Sequence, residues 1–89
     1  MTPWQVVIEP LAAKELKKLA KSDRERIMQF LRERIATTEN PRRAGHALTG
    51  ALKGLWSYRI GGFRVIAKIQ DRIITVLVVR IGNRRDVYI

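Results

Sequence analysis

The sequence contains no cysteine and a single histidine, His46. Disulfide bonds and thiolate metal sites are therefore excluded, and so is any site that needs two imidazoles. The eight acidic residues are scattered, and neither a pair of catalytic carboxylates nor a glycine-rich phosphate loop is evident. We therefore expect a protein that uses no metal ion and no cofactor.

Long apolar segments are also missing. The longest such run, residues 73–79 with one threonine in it, falls far short of the roughly 20 residues that a membrane-spanning helix requires. The N-terminal stretch "MTPWQVVIEP" lacks the basic and apolar regions of a signal peptide. We expect one small cytoplasmic domain over residues 1–89, without a membrane partner.

Positive charge is abundant and unevenly distributed. The chain has 18 Lys and Arg against 8 Asp and Glu, a net charge of +10. Residues 1–40 hold eight basic against six acidic residues, whereas residues 41–89 hold ten against two, a balance of +8. Most of these ten are arginines, which suit bidentate phosphate contacts. The second half therefore predicts a polyanion partner, or an acidic protein that covers it, with solubility alone as the simpler alternative.

The order of predicted elements is β-α-α-β-β-β. The run "WQVVIE" reads as a strand, and two amphipathic helical segments follow Pro10, separated by the capping-box pattern "SDRE". Residues 37–54 lack periodicity and are expected to form a loop, after which "LWSYRI", "GGFRVIAKIQ" and "RIITVLVVRI" read as strands. The pattern predicts an α+β domain whose helical hairpin packs on a mostly antiparallel four-stranded sheet.

Strand alternation assigns side chains to the two faces of that sheet. Tyr58 and Val65 fall on the predicted core face, and Arg59, Arg64 and Lys68 fall on the other. The sequence then ends "RIGNRRDVYI", in which Arg84, Arg85 and Tyr88 lie within five positions. We expect the basic face and this tail to act together.

Arginines combined with a tyrosine suit one reaction in particular. RNA is cleaved when a 2′-hydroxyl attacks the adjacent phosphate, and DNA lacks that hydroxyl. Arginines stabilise the extra negative charge of the transition state, and a tyrosine near cations can transfer a proton. Each residue also has an ordinary explanation: Arg64 as a solvated strand residue, Tyr88 as a cover for the sheet edge, and His46 as a solvated loop residue. From the residues alone the prediction is a basic domain that binds RNA or phosphate.

Two segments resemble the RelE/ParE superfamily of toxins from toxin–antitoxin pairs. They are "LTGALKGLWSYRIGGFRVIAKI" and "VLVVRIGNRRDVY". The resemblance favours the RelE-like branch and implies cleavage of mRNA in the ribosomal A site, without metal. The catalytic residues that it implies are Arg59, Arg64, Arg84 and Tyr88. The RNA-binding residues that we expect beside them are Lys53, Ser57, Lys68 and Arg85.

Three positions depart from the pattern of that superfamily. Ser57 stands where a basic residue is usual, Asn83 where histidine is common, and Gly62 where aspartate is common. The first two remove a positive charge and a candidate proton donor from the expected site.

The resemblance also implies partners and leaves two other functions open. The expected partner is an acidic, RelB-like antitoxin that wraps the toxin, and DNA would be bound only through the antitoxin complex. The alternatives are a ParE-like inhibitor of DNA gyrase and a catalytically inactive basic binding module. The pairing of Arg84 with Tyr88 favours cleavage.

Overall fold

The computed structural model describes residues 3–83 of the 89-residue chain. It contains one five-stranded sheet with the strand order β1-β5-β4-β3-β2. The strands are β1 (Gln5–Ile8), β2 (His46–Ala47), β3 (Trp56–Ile60), β4 (Phe63–Gln70) and β5 (Thr75–Asn83). β1 runs parallel to β5, and all other neighbouring pairs are antiparallel.

This architecture confirms the predicted α+β class and corrects the number of strands. The fifth strand, β2, lies within the segment predicted to be a loop, which also holds two short 3₁₀ turns, Pro41–Ala44 and Gly50–Leu52. A strand of two residues is too short to leave an alternating pattern in the sequence. Its existence depends on pairing with β3, which is a tertiary contact.

The helices are α1 (Pro10–Lys17) and α2 (Lys21–Phe30), and α2 continues as a π-helical segment, Leu31–Ile35. The capping-box prediction is wrong, because α2 begins at Lys21 and no side chain caps it. The Arg24 guanidinium instead donates hydrogen bonds to the carbonyl oxygens of Lys17 and Leu19, at the end of α1. Within residues 3–83, no helix has the length and apolarity to cross a bilayer.

The core lies between the helices and one face of the sheet. Its buried members come from both helices, the π-helical segment and three strands: Ala12, Ile27, Leu31, Ile35, Tyr58, Ile60, Val65, Ala67, Val76, Val78 and Ile81. The face assignment for Tyr58 and Val65 is confirmed. The opposite face, which we call the open face, carries Ser57, Arg59, Arg64, Ile66 and Lys68.

Two short reversals fix the strand registers that build the open face. The two-residue Gly61–Gly62 turn joins β3 to β4, and Gly61 has a φ of +59°, as the first position of a type II′ turn requires. Between β4 and β5, the 3₁₀ turn Asp71–Ile73 is followed by Ile74 at a φ of +47°, which is rare for a β-branched residue. The first turn sets Ile60 opposite Phe63 and so determines every pair further along the hairpin.

Candidate functional site

Arg59 and Arg64 are direct partners in the β3–β4 ladder. Opposite residues of an antiparallel pair project from the same face, with Cβ atoms about 4.5–5.5 Å apart. Like charges in this position destabilise a sheet. Two arginines held side by side therefore form a place where an anion would be favoured.

The burial of side chains on the open face is uneven. Arg64 and Ser57 are only 8% and 3% exposed, and Ile66 is also buried, whereas Arg59 and Lys68 are exposed. The Ser57 hydroxyl finds no hydrogen-bond partner among the described residues. A buried hydroxyl without a partner is costly, so a ligand that forms a hydrogen bond with Ser57 would remove that cost.

The registers of three strand pairs align the open face into two rows. Arg59, Arg64 and Gly82 form the first row, across β3, β4 and β5. The second row begins with His46, which pairs with Ser57, and Ser57 pairs with Ile66. The sequence did not identify His46 as a neighbour of Ser57, because a histidine ten positions before the first residue of β3 carries no signal of cross-strand pairing.

Arg80 is the β5 partner of Ile66, but its side chain forms an ion pair with α1. Its Nε and one terminal nitrogen contact the Glu15 carboxylate of α1 at 3.1–3.2 Å. The same carboxylate accepts a 2.9 Å hydrogen bond from the Ile81 backbone N–H. Glu15 therefore holds the edge of β5 just before the strand ends, beside a cavity of about 420 Å³ that is also lined by Asn83.

The other predicted site residues are dispersed or fall outside the described part. Lys68 lies on the open face four positions along β4 from Arg64, a distance of about 13 Å along the strand. Lys53 is exposed at the end of a 3₁₀ turn before β3. The predicted site residues Arg84, Arg85 and Tyr88 lie outside the described residues. The structure therefore brings together Ser57, Arg59 and Arg64.

Tyr58 belongs to the core and is not available to the open face. Its hydroxyl donates a 2.8 Å hydrogen bond to the Pro41 carbonyl, and its ring packs against Phe30 at 5.8 Å between centroids. Burial raises the pKa of Tyr58 to about 12, although the nearby Arg42 charge lowers it in part. Gly45 lies so close that an added Cβ would be 2.9 Å from the Tyr58 ring. Tyr58 therefore holds the chain just before β2 against the core.

A bidentate ion pair also anchors the turn before β2. The Arg42 guanidinium contacts the Asp71 carboxylate at 2.7 and 2.9 Å and lies over the Trp56 ring, 5.7 Å from its centroid. The hydrogen bond from Arg42 lowers the pKa of the Asp71 carboxyl. This pair joins the turn before β2 to the β4–β5 connection.

The fold and the open face define a class: a small, basic α+β domain with two helices on one side of the sheet and a cationic surface on the other. The sequence profile described as the ParE toxin of type II toxin–antitoxin systems matches residues 6–88. The chain therefore belongs to the ParE toxin family, within the RelE/ParE superfamily, and its relatives favour the RelE-like branch.

Two relatives from Mycobacterium tuberculosis are similar over nearly the whole chain. Toxin RelG is 29% identical over 86 residues, which cover 97% of each chain. Toxin RelE is 31% identical over 86 residues, which cover 97% of this chain and 87% of that toxin.

Solved structures show the same fold. The toxin–antitoxin complex RelBE2 from M. tuberculosis aligns with a TM-score of 0.86 and 29% identity, over 97% of each chain. The archaeal RelE–RelB complex from Pyrococcus horikoshii gives 0.72 and 26%, over 97% of this chain and 99% of that one. The isolated E. coli RelE toxin gives 0.70 and 22%, over 90% and 83%, and shows the fold alone. This protein is thus a toxin of a type II toxin–antitoxin system.

Proposed function

We propose that this toxin cleaves mRNA in the ribosomal A site by attack of a 2′-hydroxyl on the adjacent phosphate. The observation that carries the proposal is the pairing of Arg59 with the buried Arg64 on the open face. In this reaction the O2′–P bond forms and the P–O5′ bond breaks, so a 2′,3′-cyclic phosphate and a 5′-hydroxyl result. Arginines supply positive charge to the phosphorane without losing a proton.

The C-terminal tail supplies the remaining groups of the proposal. Arg84 follows Gly82, the β5 partner of Arg64, by two residues in the sequence. Under the proposal Arg84 adds charge stabilisation and Tyr88 transfers a proton. The RNA backbone is held by basic and polar residues around them: Lys53, Ser57, Lys68 and Arg85.

Primer extension on one mRNA tests the proposal, with and without translating ribosomes. The expected result is new 5′ ends within codons that appear only when both toxin and ribosomes are present. Arg64→Ala should abolish these ends. Arg72→Ala is the matched control. It removes the same charge from an exposed position in the β4–β5 turn, away from the open face. Cleavage by Arg64→Ala at the wild-type rate would refute the assignment.

A second candidate function is inhibition of DNA gyrase, and the family match favours it. The profile that covers residues 6–88 is that of the ParE toxin. A supercoiling assay with purified gyrase separates the two functions. Inhibition of supercoiling by both the wild type and Arg64→Ala, with no mRNA ends, would support the gyrase inhibitor.

We also propose that an acidic, RelB-like antitoxin binds this toxin and neutralises it, and that DNA is bound through that complex. Solved relatives include toxin–antitoxin complexes, among them an archaeal RelE–RelB complex. Apolar hollows of about 250 and 410 Å³ lie beside α2, both lined by Met28 and Arg32. Apolar contact rimmed by arginine suits an amphipathic helix with acidic residues.

Met28→Glu should weaken this complex. Gln29→Glu is its control, because Gln29 is the exposed neighbour on the same helix and lines neither hollow. Calorimetric titration of the toxin with its antitoxin measures both affinities. Equal affinities for the two variants would place the antitoxin elsewhere.

A further inference from the structure

His46 and Ser57 lie side by side on the open face, one exposed and the other buried. They are direct partners in the β2–β3 ladder. Ser57 is 3% exposed, and its hydroxyl has no hydrogen-bond partner among the described residues. We propose that this pair is a subsite for the ribose–phosphate backbone of the nucleotide next to the cleaved bond. The inference rests on the proposed function and deepens it.

The position of the pair relative to the arginines supports this subsite. The row of His46 and Ser57 lies two residues along β3 from the row of Arg59 and Arg64, about 6.6 Å away. An RNA strand whose phosphate contacts the arginines therefore presents a neighbouring sugar or phosphate to the second row.

The chemistry of the two side chains suits a ribose. A serine hydroxyl both donates and accepts a hydrogen bond, as a 2′-hydroxyl does, and an imidazole N–H donates to a phosphate oxygen. Ser57 stands where the superfamily pattern has a basic residue. His46 restores a donor at that place from the neighbouring strand, and so the subsite selects RNA at a nucleotide other than the one that reacts.

Single-turnover cleavage of ribosome-bound mRNA tests the subsite. The variants are His46→Ala, Ser57→Ala and the double variant. Thr49→Ala serves as the control, since Thr49 is exposed two residues after β2 and its side chain caps nothing. Each variant is measured on all-ribose mRNA and on mRNA with one 2′-deoxynucleotide beside the cleaved bond, which leaves the attacking hydroxyl in place.

Each single variant should raise the half-saturating toxin concentration roughly 3- to 10-fold, the range for loss of one hydrogen bond, with a smaller change in the maximal rate. The neighbouring 2′-deoxy substitution should reduce cleavage by the wild type and by Thr49→Ala by a similar factor. It should leave cleavage by the double variant unchanged. This coupling identifies contact with the hydroxyl, because a structural role would leave the deoxy effect intact in the double variant.

The outcomes separate failure of the subsite from failure of the proposed function. If Arg64→Ala stops cleavage but the His46 and Ser57 variants match the wild type, the subsite is refuted and the function stands.

If the wild type does not cleave, fluorescence anisotropy with single-stranded RNA and DNA of the same sequence tests the subsite. A preference for RNA that the double variant loses supports it, and equal binding of RNA by both proteins overturns it. Urea unfolding of every variant confirms that it is folded.

Discussion

Arg59 lies directly opposite Arg64, one residue pair before the Gly61–Gly62 turn that closes the β3–β4 hairpin. The turn fixes this juxtaposition, in which Arg64 is buried and Arg59 is exposed. Opposed like charges destabilise a sheet, and a phosphate that contacts both side chains would offset their repulsion.

Arg59→Gln is expected to lower cleavage and raise stability together. Removing one of two opposed like charges should increase the free energy of unfolding by about 0.2–1 kcal/mol. Single-turnover cleavage should fall roughly 10²-fold, because a charge that stabilises the transition state is lost. Urea unfolding and cleavage assays measure the two effects. Arg72→Gln is the control, and a fall in stability for Arg59→Gln would show that the pair is not repulsive.

Tyr58→Phe is expected to lower stability and leave cleavage unchanged. Loss of the buried hydrogen bond to Pro41 should cost about 1–2 kcal/mol in urea unfolding. Under the proposed function Tyr88→Phe should slow cleavage roughly 10²–10⁴-fold, in contrast to Tyr58→Phe, which should leave the rate unchanged. A slow Tyr58→Phe protein with normal stability would contradict the placement of Tyr58 in the core.

The same tyrosine predicts how stability changes at alkaline pH. The pKa of Tyr58 is about 12 in the folded chain, against about 10 for an unfolded phenol. The unfolded state therefore releases its proton first, and unfolding becomes easier as pH rises from 10 to 12. The stability advantage of the wild type over Tyr58→Phe should be constant below pH 10 and shrink above it. Urea midpoints between pH 8 and 12 measure this difference, and a constant difference up to pH 12 would contradict the shift.

Glu15→Gln is expected to loosen the end of β5. The carboxylate accepts hydrogen bonds from the Arg80 guanidinium and from the Ile81 N–H, and the amide cannot replace all of them. The free energy of unfolding should fall by about 1–3 kcal/mol, as for hydrogen bonds to a charged group. Hydrogen exchange should show the Ile81 amide exchanging faster. Glu9→Gln is the control, because Glu9 immediately precedes α1 and its side chain forms no cap hydrogen bond. Equal exchange of the Ile81 amide in both variants would contradict the role of Glu15.

Asp71→Asn tests the ion pair that ties the turn before β2 to the β4–β5 connection. The Arg42 hydrogen bond lowers the pKa of the Asp71 carboxyl. The contribution of the ion pair to stability is therefore fully present above the ordinary carboxyl pKa, near 4. It is lost as the pH falls through the lower pKa of the folded chain. The urea midpoint of the wild type should exceed that of Asp71→Asn at pH 7, and the difference should shrink below pH 4. The pair is exposed, so the difference should be small and reduced by salt. Asp71→Asn made in an Arg42→Gln background should have no effect, and an undiminished effect there would assign it to another contact.

The periodic segments were predictable because burial repeats with the period of the element. Alternation along β3 and β4 placed Tyr58 and Val65 in the core and Arg59 on the other face, and the helical spacing selected Ile27 and Leu31. Periodicity fails in β5, where a bulge leaves Val79 between the partners of Ile66 and Ala67. Because of that extra residue the core face passes from Val78 to Ile81, and no alternating pattern reveals such a shift.

Composition, periodicity and the two resembling segments are read along the chain, and they were enough to predict the α+β class, the basic second half and the family. The burial of Ser57 without a described partner, and the position of His46 beside it, depended on the folded structure. It also decided that Glu15 balances the charge of Arg80. The physical reason is that these relationships join residues 11 to 65 positions apart, which meet through strand register and helix packing. Neither of those leaves a local mark on the sequence.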